Sequence, residues 1–172
     1  MLGRHRPKFY AIAGVALAVA APPRAGSAGV TVTLPPGWHS TRPVQGHVTN
    51  PLTRLAVASG SIRPRLTGAC DAQVADYVIP RDAVAIVVVE WTKPIGGMKI
   101  GIGPRRPRSF TATTLPIHRA PIIECWPGAG GSVEWAERGH TFAAYVLLGI
   151  QAPPRRAAQA RAVLDTLRIA PR

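Results

Sequence analysis

Residues 83–91 read Ala-Val-Ala-Ile-Val-Val-Val-Glu-Trp, and this run constrains the fold more than any other stretch. It is apolar on both alternating faces and rich in β-branched side chains, which suit a pleated surface. A strand of that kind sits inside a sheet with cover above and below. The rest of the chain must therefore supply neighbouring strands and two covering layers.

Period-two alternation supplies the neighbours. Residues 30–34 (Val-Thr-Val-Thr-Leu) form one strand, ended by Pro35-Pro36-Gly37. Residues 55–59 form a second, and 109–115 a third with Phe110 on one face. Residues 132–136 and 141–148 form a hairpin, with Gly139 where the turn needs a positive φ. Asp71 can cap a short helix over 71–78, closed by Pro80. Pro153 and Pro154 suit a first helical turn, and Ala160, Val163, Leu164 and Leu167 make one apolar stripe over 157–167. Residues 39–53 and the Gly-, Pro- and Arg-rich 94–108 are expected as loops, the second long and exposed. The expected class is α+β. It comprises an antiparallel sheet of about five to six strands, a C-terminal helix packed on one face, and a short helix.

The N-terminus has the three parts of a secretory signal peptide. Arg4, Arg6 and Lys8 lead, residues 9–21 are small or apolar and uncharged, and Gly26-Ser27-Ala28 puts small residues one and three places before a cut. The expected division is a signal peptide at 1–28 and one globular domain at 29–172, placed outside the cytoplasm or in the cell envelope. The alternative is an uncleaved anchor. Thirteen helical residues reach roughly 20 Å, short of a bilayer core of roughly 30 Å, so a membrane association runs only through an uncut leader.

After residue 28 the chain carries 17 Lys and Arg against 8 Asp and Glu, a net of +9. Such a surface can attract anionic lipid, wall polymer or nucleic acid. The charges are scattered and accompany abundant Ala, Gly and Pro, so no specific nucleic-acid partner follows. Cys70 and Cys125 both lie in the exported part. An oxidising compartment and an even count favour a structural disulfide over a redox pair, which usually has Cys-x-x-Cys spacing.

Leu34-Pro35-Pro36-Gly37-Trp38 resembles the opening of PsbP-like exported proteins, and Leu164-Asp165-Thr166-Leu167-Arg168 resembles their closing run. The loop Gly-Pro-Arg-Arg-Pro-Arg and the pair Glu124-Cys125 are similar to small exported proteins of actinobacterial type. The resemblance covers about a tenth of the chain. It implies a sheet flanked by helices and an accessory or binding role, with no catalytic residues to carry over.

No Gly-x-Ser-x-Gly, His-Glu-x-x-His or Walker motif is present, and no cofactor is implied. The glycine-rich 128–132 lacks a phosphate-cradle lysine and reads as a flexible link. His39, His47, His118 and His140 lack metal spacing; His39 and His140 are expected in solvent. Glu90 beside Trp91 could act as a general acid with Glu124, but a salt bridge to an arginine is the favoured reading. The candidate binding residues are Arg105, Arg106 and Arg108, whose guanidiniums can fork onto phosphate or carboxylate, with Trp126 as a stacking face. The favoured function is a secreted, non-enzymatic binding or accessory protein whose partner is an anionic envelope component or another protein. The alternatives are a small hydrolase using Glu90, and a structural partner in an envelope complex.

Overall fold

A computed structural model describes residues 21–27, 29–45, 48–65, 77–119 and 125–171. Ten strands are named among them: β1 Arg24–Ser27, β2 Val30–Thr33, β3 His39–Ser40, β4 Leu52–Ala58, β5 Arg63–Pro64, β6 Tyr77–Val78, β7 Val84–Trp91, β8 Gly130–Glu137, β9 His140–Leu148 and β10 Arg168–Ile169. One helix, α1 Arg155–Asp165, precedes β10.

The continuous apolar run becomes β7, the centre of a five-stranded antiparallel sheet in the order β3-β4-β7-β9-β8. Its two faces serve two cores, because successive side chains alternate. Val84, Ile86 and Val88 join Phe142, Ala144, Val146 and Trp135 on one face. Ala85, Val87 and Val89 join Ala143 and Leu147 on the other. The first core is closed by Ala160, Val163 and Leu164 of α1, by Leu167, and by Val30 and Val32 of the small sheet β1-β2-β10. Ile62 beside β5 and Tyr77 of β6 lie in the second core.

The hairpin forms as expected and is longer, with Glu137 opposite His140. Arg138 (φ 53°) and Gly139 (φ 78°) make the two-residue connection. Positive φ at both central positions matches the right-handed twist of the arms. The helix runs over Arg155–Asp165, two residues earlier than its apolar stripe suggested. Thr166 caps its end, and its Oγ1 accepts a bond from the Thr33 N–H at 2.9 Å, tying the helix exit to β2.

Several expectations are corrected. Residues 109–115 form turns, not a strand. The Asp165 carboxylate accepts the Phe110 N–H at 2.7 Å, and Thr114 Oγ1 donates to the Ser109 carbonyl at 3.1 Å. Hydroxyl and carboxylate groups thus take the bonds a ladder would need. Phe110 and Leu115 still plug the first core. The C-terminal end of the expected 71–78 helix is extended, since Tyr77 and Val78 pair with Pro64 and Arg63 as β6; its residues 71–76 lie outside the described set. The 128–132 link is not slack: Gly130 and Gly131 belong to β8 and are buried. A Cβ on Gly131 would strike the Pro116 carbonyl, so the glycine allows close backbone contact. The 94–108 loop is partly docked, because the Ala136 N–H donates to the Pro104 carbonyl at 2.7 Å along the outer edge of β8. Covering that edge removes a template for unwanted strand pairing.

Residues 1–20 and 28 lie outside the described set. Residues 24–27, within the segment read as the leader, form β1.

Candidate functional site

Among the described residues, three ionisable side chains, Glu90, Arg54 and His140, meet at one end of the main sheet. Glu90 is the penultimate residue of β7 and faces the first core, with its side chain 1% exposed. Its Oε2 accepts from Arg54 Nε at 2.6 Å, and its Oε1 lies 2.6 Å from His140 Nδ1. The register explains how Arg54 arrives. Thr53 is opposite Val89 and Leu55 is opposite Val88, so Arg54 is the extra residue of a β-bulge. Without the bulge, strict alternation would send Arg54 to the face opposite Leu55; a bulge re-aims such a side chain. His140 opens β9 two residues before Phe142, on the same face, and their ring centroids are 6.1 Å apart.

This corrects the expectation that His140 is simply solvated. Its side chain is one-third exposed and engages a buried carboxylate. Period-two spacing from Phe142 carried the signal, but the partner on β7 depends on register. The expected arginine partner of Glu90 is present as Arg54. Both carboxylate oxygens are engaged, so the cluster is a clamp joining β4, β7 and β9. Glu124, the second acid considered, lies outside the described residues. Among the described residues no three His, Cys, Asp or Glu gather around a possible metal position. His39 and His118 are exposed, and His47 lies outside the described set.

The sequence-derived binding residues do not converge. Arg106 is turned inward: its Nη1 donates to the Leu167 carbonyl at 2.9 Å, and its Nε lies 3.1 Å from Glu137 Oε2, off the direction of a hydrogen bond. Arg105 and Arg108 are exposed. Trp126 is half-buried against the second core, and its Nε1 donates to the Leu148 carbonyl at 3.1 Å. The length of β8 separates it from the arginine loop by roughly 20 Å. It cannot provide a stacking face beside those guanidiniums.

Trp126 instead adjoins a groove that the sequence did not indicate. A half-open hollow of about 560 Å³ lies between the 117–119 and 127–129 segments, the end of β9 and the start of α1. Ile117, Ala129, Ile150, Ala152 and Ala157 give it apolar walls, and Arg119 is its one charged lining residue. Ile150 is 56% exposed. Ligand sites are typically hollows of roughly 300–1,000 Å³ with apolar walls and few polar groups. The lining comes from three separate stretches of chain, which no local pattern would join.

Tyr145 of β9 lies on the other face of the sheet, opposite Ser132 and Val87. Burial raises its phenol pKa above the usual 10.0, and the nearby Glu134 carboxylate raises it further. A raised folded-state pKa contributes stability that is complete below the unfolded value and is lost as pH rises through the folded one. Unfolding free energy should therefore decline above about pH 10, and Tyr145→Phe should flatten that decline. Urea unfolding at pH 9, 10 and 11 checks this; an identical decline in both proteins would exclude Tyr145 as its source.

No helix of the described residues is long and apolar enough to cross a membrane. No family model, curated protein or solved structure matches this chain.

Proposed function

We propose that the chain is an exported, non-enzymatic binding or accessory protein that takes an anionic ligand with an apolar body, seated in the groove beside Trp126. The observation that carries this reading is the groove itself, with its apolar walls and Arg119. A guanidinium beside an apolar hollow suits a carboxylate, phosphate or sulfonate attached to a hydrocarbon or ring. The excess of arginine over acid adds attraction for such a partner at an envelope surface. The PsbP-like end runs agree with an accessory role.

The reading includes a staple between Cys70 and Cys125. Cys125 is not a free thiol, and it directly precedes Trp126 and the groove residue Pro127. Such a link would hold the groove floor in place. Cys70 lies outside the described residues. A hydrolase built on Glu90 is not proposed, because Arg54 and His140 occupy both of its oxygens.

Titration with the fluorescent probe 1-anilinonaphthalene-8-sulfonate tests the groove. Saturable micromolar binding is expected. Arg119→Ala should weaken it about tenfold, the size of one charge-assisted contact. Ile150→Asp should reduce it at least as much by placing a like charge near the sulfonate, and Arg105→Ala/Arg108→Ala should change it less than twofold. Loss of binding in the loop variant, with Arg119→Ala unchanged, would move the site to the 94–108 loop.

A further inference from the structure

We propose that the leader is cut between Ala20 and Ala21, so that residues 21–27 remain part of the folded protein; this rests on the exported reading above. Small residues stand one and three places before several possible cuts, among them Ala16-Leu17-Ala18, Ala18-Val19-Ala20, Ala25-Gly26-Ser27 and Gly26-Ser27-Ala28. Sequence alone does not separate them, since leader peptidases read small residues at those two places. The fold separates the earlier cuts from the later ones.

β1 is a working strand of the domain. Arg24, Ala25, Gly26 and Ser27 pair with Thr33, Val32, Thr31 and Val30. Ala25 is buried in the first core. The Leu34 N–H donates to the Pro23 carbonyl at 2.9 Å, and Ser27 Oγ donates to the Arg54 carbonyl at 2.9 Å. Gly26 has a φ of 144°, and a Cβ there would strike the Val30 carbonyl, so this position is fitted to the pairing. The Ser27 bond also braces the bulge that aims Arg54 at Glu90. A cut after Ala28 would remove all of this. It would expose the outer edge of β2 and unroof the core at Val30 and Val32.

A cut after Ala20 removes none of it. Residues 21–24 are exposed, and 21–23 belong to no strand, so the new terminus projects into solvent. The remaining leader also has the expected proportions. Residues 9–17 form an uncharged core of nine, within the usual seven to fifteen, followed at once by the small-residue triplet. In the reaction the Ala20 C–N bond to Ala21 is hydrolysed. Water supplies hydroxyl to the Ala20 carbonyl carbon and a proton to the departing nitrogen, leaving a carboxylate on the leader and a free amine on Ala21.

The full chain, expressed in a secreting bacterial host, gives the test. The exported fraction is analysed by intact mass and N-terminal sequencing, alongside Ala20→Gln and Ala28→Gln variants. The expected mature protein begins at Ala21; Ala20→Gln accumulates uncut precursor, and Ala28→Gln is processed normally. A mature terminus at Gly29, or the reverse response of the two variants, overturns the proposal. Exported protein still beginning at Met1 also overturns it while leaving export intact. Full-length chain confined to the cytosol overturns the exported reading itself.

Discussion

Glu90→Ala should lower the stability of the folded domain by about 3 kcal/mol, at the lower end of what breaking a buried ion pair costs. The lower end applies because the partners are not sealed: the Arg54 side chain is 16% exposed and the His140 side chain 33%. Each can recover part of its hydration when the carboxylate leaves. The cost arises less from the lost attraction than from stranding Arg54 on the apolar face to which its bulge aims it. That account makes a second outcome specific. Glu90→Leu/Arg54→Met, which removes both charges and keeps most of the volume, should recover the larger part of the loss, since well-packed apolar replacements of buried pairs are often neutral. Urea midpoints for the single and double variants decide it. A change below about 0.5 kcal/mol for Glu90→Ala would mean that the clamp is a surface pair of ordinary weight.

Trp135→Ala should cost about 4 kcal/mol, in the range for removing a large buried aromatic. Trp135 is fully buried. It stacks on Phe142 with centroids 5.7 Å apart and meets Phe110 edge-on at 6.2 Å. It therefore joins β8, β9 and the 109–115 turns in one contact set. At roughly 2–4 °C per kcal/mol for a domain of this size, the melting temperature should fall by roughly 8–16 °C. Trp135→Phe should lose much less. The indole Nε1 is buried with no hydrogen-bond partner among the described residues, so removing it relieves a desolvation cost that offsets the lost ring contacts. Equal losses for Ala and Phe would show that ring packing is not what Trp135 contributes.

The candidate site was far less legible than the fold. Arg105, Arg106 and Arg108 form a conspicuous cluster in the chain, yet Arg106 is consumed by Leu167 and Glu137, more than thirty residues away in sequence in each case. Arg119 has no such cluster around it, and it becomes a candidate only because Ile150 and Ala157 come to face it. The 109–115 stretch alternates well enough to resemble a strand. Asp165, at the end of a distant helix, supplies the competing acceptor.

The chain by itself determined its local periods. The unbroken apolar run of β7, the turn at Gly139 and the stripe of Ala160, Val163, Leu164 and Leu167 follow from side-chain size, backbone freedom and spacing. These properties are contained in a few consecutive residues and need no partner. Tertiary structure decided which of those faces meet. The bulge at Arg54, the alignment of Glu90 with His140, the incorporation of β1 and the assembly of the groove all depend on strand register and chain reversals. Residues far apart in sequence then compete for the same buried acceptor or the same patch of core, and proximity in space settles that competition.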